Sequence, residues 1–357
     1  MIKKTLRVVG SSWGQRIAIL AIICIVMAIS QKALGINQIF FNLVNVKNIL
    51  LAISVNGIMV CGMLFTVLVG GMDLSVGSVA GISASIAFMI ARSTGFSDGG
   101  FLYGCAVALT VCLVVGFLNG FFVTRFALPA FIVTLAMKNV VHGIIYFVTR
   151  GIFVLPPKHG LSFYIGNLVV FDIQLGGGGK LSIPMPVIML IVVVTVCAFV
   201  LTKTTYGRKL YAIGGNKNVA KLVGIKTNAN TIVAFMISSV LAGIAGIMLA
   251  SMDGQAGQTT ARSYEGYVLM AMVVGGINLA GGEGGVSGAV FGALFVGIIN
   301  NVMNLLGVTG DIQAFVRGVI ILGAMTLSVY AKRGSIGALR IKFKEQGKTD
   351  THTDLEL

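Results

Sequence analysis

The chain has 357 residues with a formal net charge of +15, and 56% of its residues are apolar while only 10% are charged. Its mean hydropathy is +0.97, whereas a water-soluble domain carries roughly 25% charged residues, so the composition excludes an ordinary soluble protein and predicts a membrane protein. In such a chain the positions of the basic residues report membrane orientation, and the positive charge is not taken to indicate a nucleic-acid partner.

Ten charge-poor apolar runs follow one another along the sequence, each close to the ~20 residues that a helix needs to cross a bilayer. They predict an all-α polytopic membrane protein of about ten transmembrane helices, with a transmembrane domain over 17–331, an N-terminus at 1–16 and a tail at 332–357. No small-residue cleavage site follows the first run, so we expect it to remain as a span. The predicted spans are 17–36, 49–70, 74–91, 101–122, 130–149, 184–202, 230–250, 266–282, 285–306 and 312–331.

The basic residues orient these spans. An even number of spans places both termini on the same side of the bilayer. With the termini in the cytoplasm, 17 Lys and Arg residues lie in cytoplasmic segments and seven on the external side, counting Lys32 at the external end of the first span, which is the positive-inside pattern. Two more basic residues, Lys138 and Arg317, fall within predicted spans, and Asp311 is a candidate partner for Arg317. We therefore expect both termini to be cytoplasmic.

The loop over 203–229 carries six basic residues and no acidic one between two apolar runs, which places it in the cytoplasm. Within it, Val219, Leu222 and Val223 fall at i, i+3 and i+4, and lysines occupy another face. This spacing predicts a short amphipathic helix from Lys217 to Gly224, preceded by a flexible pair of glycines. Two interpretations stay open: the helix docks in a groove on a cytoplasmic protein, or the loop lies on anionic lipid headgroups.

Two glycine-rich motifs interrupt the apolar runs, GGMDLSVGS from Gly70 to Ser78 and GGINLAGGEGG from Gly275 to Gly285. A glycine pair lets a helix break, and an Asp or Asn side chain caps the next helix by accepting free backbone N–H groups. We therefore predict helix-breaking turns, with a direct part in gating as the alternative for Asp73. The residues assigned to these turns are Gly70, Gly71, Asp73, Ser75, Gly275, Gly276 and Asn278.

Polar side chains inside the predicted spans are costly to bury, which makes them candidates for a solute path. Lys138 and His142 lie four residues apart on one span, with Thr134 one turn earlier, so they form a polar stripe on an otherwise apolar helix. Asparagines bond solute hydroxyls well, but buried asparagines also join neighbouring helices. The candidate path residues are Asn56, Asn119, Thr134, Lys138, His142, Asn300, Asn301 and Asn304.

Three ordered segments carry a family resemblance. They are GGMDLSVGS at 70–78, GRKLYAIGGNKNVAKLVGI at 207–225 and VVGGINLAGGEGGVSGAVFGAL at 273–294. In this order and at these intervals they resemble the membrane subunits of bacterial ABC importers for ribose and related compounds, the ribose, xylose, galactoside and autoinducer-2 permease family. The resemblance spans nearly the whole chain.

The resemblance implies a permease of the bacterial cytoplasmic membrane that moves a monosaccharide inward by alternating access. The implied partners are a cytoplasmic ATPase that binds ATP and magnesium, an external sugar-binding protein near loop 151–183, and a second permease copy, identical or not, while this chain holds no cofactor. Departures at Asn278 and Glu283, with the unusual Lys138 and His142, leave the particular sugar open. The residues implied to couple to the ATPase are Gly207, Arg208, Tyr211, Gly214, Gly215, Asn216, Val219, Ala220, Leu222, Val223 and Gly224.

Two other classes of function compete with this one. The first is a secondary transporter driven by an ion gradient. Proton coupling usually needs a titratable carboxylate within the membrane, and the acidic residues nearest to the spans lie at their ends: Asp73, Glu265, Glu283 and Asp311. Sodium coupling through carbonyl and hydroxyl oxygens stays open as an alternative. A membrane enzyme lacks support because the three histidines have no metal-ligand spacing and the G-x-S-x-G pattern is absent. The run LGGGGKLSIP also lacks the P-loop spacing, so we expect ATP hydrolysis on another polypeptide.

Overall fold

The computed structural model describes residue 40, residues 42–175 and residues 179–326. The first predicted span, 17–36, and the predicted tail, 332–357, lie outside the described residues. Within the described part the chain is mostly helical, with twelve helices and one short β-hairpin. The predicted helical fold class is therefore right at that level.

The elements follow one another with short connections. The last helix, α12, begins at residue 310 and is described to residue 326. The others are α1 Leu43–Leu68, α2 Val76–Ser93, α3 Asp98–Arg125, α4 Ala130–Thr149, α5 Leu161–Asn167, β1 Val169–Leu175, β2 Gly179–Pro184, α6 Met185–Lys203, α7 Thr205–Gly215, α8 Lys217–Leu222, α9 Thr227–Asp253, α10 Tyr264–Val274 and α11 Val286–Leu305.

Seven of these helices are long and apolar enough to cross a membrane: α1, α2, α3, α4, α6, α9 and α11. Each corresponds to one predicted span. The match is closest for α4, which has the predicted bounds 130–149, and α11 differs from the predicted 285–306 by one residue at each end. The described part of 312–331 is also helical. These helices make the chain a multi-pass membrane protein.

The predicted span 266–282 is wrong. Its helix, α10, has only 11 residues and ends at Val274, which gives a length of about 16 Å against a hydrocarbon thickness of ~30 Å. The chain then runs without helix to Gly285. Gly276 has a φ of +72°, a left-handed conformation that glycine adopts without strain, and it turns the chain away from the helix axis.

Helix α1 lies at the centre of the bundle, because every residue from Ile53 to Leu68 is buried. It packs against α9, α11 and α6, while α9 also packs against α2 and α3. Glycines permit these close approaches: a Cβ on Gly120 of α3 would lie 2.6 Å from the Cα of Ile232, and a Cβ on Gly246 of α9 would overlap the backbone of Ala80. Backbone contact at small residues is a common way for membrane helices to associate.

The outer helices expose large apolar side chains. Phe147 of α4 is 84% exposed and Phe199 of α6 is 61% exposed, an arrangement that suits contact with lipid tails or with a neighbouring subunit. The predicted loop 151–183 carries structure of its own. It contains α5 and most of the antiparallel β1–β2 hairpin, which an ion pair of 2.8 Å between Lys180 Nζ and Asp172 Oδ2 joins across the strands.

Candidate functional site

The basic loop 203–229 folds into two short helices, α7 and α8. Thr204 caps α7 by accepting the N–H of Gly207 at 3.3 Å. Asn216 caps α8 by accepting the N–H groups of Asn218 and Val219 at 3.0 and 3.1 Å. The predicted short helix is thus present, and it ends at Leu222, two residues before Gly224. Gly224 has a φ of +81°, so it ends the helix in the left-handed conformation that favours glycine.

Helix α8 presents an uncovered apolar face. Val219 is 53% exposed, Val223 is 70% exposed and Leu222 is 85% exposed. In contrast, Leu210 and Ile213 of α7 are buried. Helix α7 therefore anchors the loop to the bundle, and α8 carries its exposed apolar surface. We call this surface the α8 patch and define it as Val219, Leu222 and Val223.

The residues predicted to couple to the ATPase also divide into a buried and an exposed group. Gly207 and Ala220 are buried and position the two helices, whereas Arg208, Gly215, Asn216 and Gly224 are exposed. Tyr211 is half-buried, and its hydroxyl donates to the carbonyl oxygen of Gly284 at 2.9 Å. Burial raises the pKa of Tyr211, so the phenol remains a neutral hydrogen-bond donor at neutral pH.

Three distant segments meet at the end of α7. The N–H of Gly282 donates to the carbonyl oxygen of Leu68 at 3.0 Å. A Cβ on Gly214 would overlap both of these backbone groups. A Cβ on Gly281 would lie 2.8 Å from the backbone nitrogen of Gly70. We call this contact among residues 68–71, 211–215 and 281–284 the glycine junction.

The glycine junction corrects two predictions. Gly214 is not a flexible hinge, because it lies in α7 with backbone on two sides. Asn278 does not cap α11, whose N-cap is Gly285. Its side chain closes a turn within the linker instead, accepting the N–H of Ala280 at 3.3 Å and donating to the carbonyl oxygen of Gly281 at 3.1 Å. The predicted break at Gly275 and Gly276 is present.

The Gly70–Ser78 motif contains a buried polar clamp around Asp73. One carboxylate oxygen of Asp73 accepts the N–H of Ser75 at 3.0 Å and its hydroxyl at 2.6 Å. The other oxygen accepts the hydroxyl of Ser238, on α9, at 2.8 Å. Asp73 therefore takes a backbone N–H at the start of α2, as a cap would, and also ties that start to α9.

Two residues predicted to line the solute path belong to the same clamp. The hydroxyl of Thr134 donates to the carbonyl oxygen of Met72 and accepts the N–H of Leu74, both at 3.0 Å. The side-chain amide of Asn119 donates to the hydroxyl of Ser75 at 2.9 Å. Both side chains are buried, so they hold the linker between α1 and α2.

A polar cavity of about 250 Å³ lies between α4 and the start of α10. Lys138 and Glu265 meet there, with 2.6 Å between Nζ and Oε1. Lys138 is the ninth residue of α4, about 12 Å along the helix axis, so Glu265 lies deeper than a span end. The polar lining residues are Ser78, Lys138, Asn139, His142, Thr260, Arg262, Ser263 and Glu265.

The structure brings together only two of the predicted path residues in this cavity, Lys138 and His142. Three asparagines predicted for the path lie elsewhere and join or sit within other helices. Asn301 pairs with Asn45 of α1 through two hydrogen bonds of 2.9 and 2.7 Å, and Asn304 accepts from Gln313 at 2.8 Å. Asn300 lies beside them on α11, with an Oδ1 atom that has no partner among the described residues.

Two other predicted residues, Asn56 and Arg317, lie outside the polar cavity. Asn56 is buried within α1, and its Oδ1 has no partner in the described part of the chain. Arg317 lies over the ring of Tyr267, 3.9 Å from its centroid, so its cation contacts an aromatic face rather than the predicted Asp311. Sequence reasoning missed Arg262 and Ser263 as cavity residues, because they lie in an irregular segment whose path no periodicity indicates.

Comparison with known proteins identifies the family of this chain. A family model described as branched-chain amino acid transport system / permease component matches residues 45–325. The ribose import permease protein RbsC of Haemophilus influenzae is 36% identical over 83% of this chain and 88% of its own length, and that of Escherichia coli is 35% identical over 87% and 91%. The L-arabinose ABC transporter permease protein AraH of Azospirillum brasilense is 32% identical over 83% of each chain. No solved structure matches this chain.

These relatives are permease components and not enzymes, and they do not support the ion-coupled alternative. The resemblance carried by the three glycine-rich segments is therefore confirmed. Since the family model covers most of the described bundle, including the glycine junction and the polar cavity, this chain belongs to the transport-system permease component family.

Proposed function

We propose that this chain is the membrane-spanning permease subunit of an ATP-binding-cassette importer, and that it moves a monosaccharide into the cytoplasm by alternating access. The relatives support the solute class, since their names assign them to ribose and L-arabinose. In the proposed topology the chain crosses the bacterial cytoplasmic membrane ten times, once through the short α10 and the non-helical linker that follows it, and both termini and the α7–α8 end face the cytoplasm. The positive-inside pattern supports this orientation.

The α8 patch is the observation that carries the proposal. Three large apolar side chains stand exposed on the six-residue α8 and its C-cap, Val223, at the most basic end of the bundle. An exposed apolar face with charged flanks is typical of a helix that inserts into a groove on a partner protein. We assign that partner as a cytoplasmic ATPase, which binds ATP and magnesium.

The glycine junction supplies a route from the ATPase to the bundle. A displacement of α8 moves α7, and Gly214 transmits it directly to the backbone at Leu68 and Gly282. Those two residues lie at the end of α1 and in the linker between α10 and α11. A rigid backbone contact passes on a small shift without absorbing it in side-chain rotation, so ATP-driven closure would tilt the central helix.

The remaining partners belong to the same assembly. An external sugar-binding protein delivers solute to the end that carries α5 and the hairpin, and a second permease copy, identical or different, completes the passage. The exposed apolar side chains of α4 suit a neighbouring subunit.

The test is a pull-down of the cognate ATPase by tagged permease, co-expressed in bacterial membranes. We expect the double variant Leu222→Asp and Val223→Asp to insert normally but to lose ATPase association and sugar uptake. Asn218→Asp is the matched control, because Asn218 is exposed on the same helix outside the patch. Normal association of the double variant would refute docking through α8 and favour contact with lipid headgroups.

A further inference from the structure

The polar cavity contains an ion pair, Lys138–Glu265, at a depth within the bundle. Charged side chains within the membrane are costly, and they persist mostly where they face water or a solute. The side chains of Lys138 and Glu265 are 32% and 13% exposed. Asn139, Arg262 and Ser263 at the rim are exposed, so the cavity opens outward beside α4.

Only one of the two carboxylate oxygens of Glu265 has a hydrogen-bond partner among the described residues. Its Oε1 accepts from Lys138 at 2.6 Å, whereas Oε2 is buried and has no hydrogen-bond partner among the described residues. A Cβ on Gly77 would lie 2.6 Å from Oε2, which places this oxygen against the first turn of α2. The positive end of the helix dipole favours an anion there, but a buried carboxylate oxygen without a donor still carries a desolvation cost.

We propose that the polar cavity is the site where the transported sugar is held during passage, and that Glu265 accepts a hydrogen bond from a sugar hydroxyl through Oε2 when movement of α10 during alternating access exposes this oxygen. Lys138 is then a positioning residue that fixes the carboxylate. The inference rests on the proposed function and deepens it by naming the residues that contact the solute.

The polar groups of the cavity favour a neutral, hydroxyl-rich solute. Lys138 and Glu265 neutralise each other, the guanidinium of Arg262 is exposed at the rim, where water and salt screen its charge, and the other polar lining groups are an amide, hydroxyls and an imidazole. A carboxylate oxygen accepts from hydroxyl groups, and a guanidinium donates in a fixed fork that matches two neighbouring oxygens. A cavity of 250 Å³ has room for roughly eight water molecules at about 30 Å³ each, which suits one monosaccharide.

The first test separates solute contact from a structural role. The permease is assembled with its ATPase and binding protein in proteoliposomes, and uptake of radiolabelled ribose and L-arabinose is measured. We expect Glu265→Gln to lower uptake by about 10-fold or more, because a hydrogen bond to a charged group is lost. ATPase association should be unchanged, since the α8 patch is not part of the cavity. The matched control is Ser239→Ala, which removes another buried oxygen without a hydrogen-bond partner in the described chain, at a position outside the cavity.

A charge swap sharpens this test. The double variant Lys138→Glu and Glu265→Lys restores an ion pair between α4 and α10 but removes the carboxylate from position 265. If the pair only joins the two helices, the swap recovers uptake and the proposal is overturned. If Glu265 contacts the sugar, uptake stays low although the melting temperature of the complex returns to that of the wild type.

The second test leaves the ion pair intact and does not depend on tolerance of a change at 265. Asn139→Cys places a thiol in the cavity, and Val140→Cys places one on the adjacent, 55% exposed apolar position of α4. We expect a water-soluble thiol reagent to label Asn139→Cys in membranes and not Val140→Cys, and ribose or L-arabinose to slow that labelling. Labelling that neither sugar slows, in a complex that transports one of them, contradicts the proposal.

Different results would refute the proposed function and the assignment of the cavity. If the wild-type complex accumulates neither sugar, the proposed function is refuted for these solutes. If it accumulates one of them and Glu265→Gln is as active as the wild type, only the cavity assignment falls.

Discussion

The glycine junction and the polar cavity are built from different parts of the chain. At the glycine junction, backbone meets backbone: Gly214 lies against Leu68 and Gly282, and Gly70 lies against Gly281. In the polar cavity, side chains meet across open space, with the Lys138–Glu265 pair at its centre. The first arrangement tolerates no added atom, and the second leaves room for a solute.

This difference separates two requirements of a transporter. Motion must pass through contacts that do not deform, and close-packed backbone satisfies that need. Selection of a solute needs directed polar groups whose identity can change without altering the fold. Substitutions at the glycine junction should therefore affect every function of the chain, whereas those in the polar cavity should affect only steps that involve the solute.

The largest effect is expected from Gly214→Val. Its side chain would overlap the backbone of Leu68 and Gly282, so α7 must separate from the bundle at a cost of more than about 3 kcal/mol. We expect loss of folded protein and of transport, measured by melting temperature and sugar uptake. Gly215→Ala is the control, because no atom lies within 4 Å of a Cβ on Gly215. Equal melting temperatures for both variants would show that close backbone packing at the glycine junction does not stabilise the fold.

A smaller effect is expected at the Asp73 clamp, which holds the linker next to the glycine junction through side chains. Asp73→Ala leaves the N–H and hydroxyl of Ser75 and the hydroxyl of Ser238 without their acceptor in a buried site. We expect the free energy of unfolding in mixed micelles to fall by about 2–4 kcal/mol.

The control for this clamp is Ser239→Ala on the same helix. The Ser239 hydroxyl is buried and has no hydrogen-bond partner in the described chain, so its removal should change the unfolding free energy little. If Ser239→Ala destabilises as much as Asp73→Ala, the effect comes from packing in α9 and not from the carboxylate.

The sequence predicts the helices well where hydrophobicity alone decides. The bounds of α4 and α11 follow from apolar runs with clear ends, and the helix Lys217–Leu222 follows from the spacing of its apolar residues. The span 266–282 failed because its apolar run continues past Gly275 and Gly276, the glycine pair at which the helix breaks as the motif predicted. Six of the eleven residues over 275–285 are glycine, and tertiary contacts at Gly281 and Gly282 determine their path.

The candidate site is less visible in the sequence. The i, i+4 spacing places Lys138 and His142 on one face of a helix, and both line the polar cavity. The partner of Lys138 is 127 residues away, and no local pattern reports such a contact. Thr134 and Asn119 were predicted as path residues because a polar side chain within a span indicates a polar environment. In the structure their polar partners are the backbone N–H of Leu74 and the hydroxyl of Ser75.

A helix-to-helix pair outside both regions gives a still smaller effect. Asn45 and Asn301 join α1 to α11 through two hydrogen bonds. Such bonds within membranes contribute about 1 kcal/mol, so Asn301→Ala should lower the unfolding free energy by that amount and leave sugar uptake unchanged. In a double-mutant cycle with Asn45→Ala, we expect a coupling energy of similar size. A loss of uptake without a loss of stability would instead return Asn301 to the solute path.

The smallest effect is expected at the Lys180–Asp172 pair of the hairpin, which sharpens the contrast with Lys138–Glu265. Hydrogen bonds from Lys180 and Ser182 hold the pKa of Asp172 below its usual range, so the pair stabilises the fold above the ordinary carboxyl pKa and loses this contribution as the pH falls through the lowered value. Because the pair is exposed to solvent, water and salt screen it. Lys180→Met should therefore change the melting temperature by no measurable amount at acidic pH and only marginally at neutral pH. A fall in melting temperature as large as that of Glu265→Gln would mean that an exposed ion pair stabilises this chain as much as the partly buried pair of the polar cavity, and the contrast between the two would be lost.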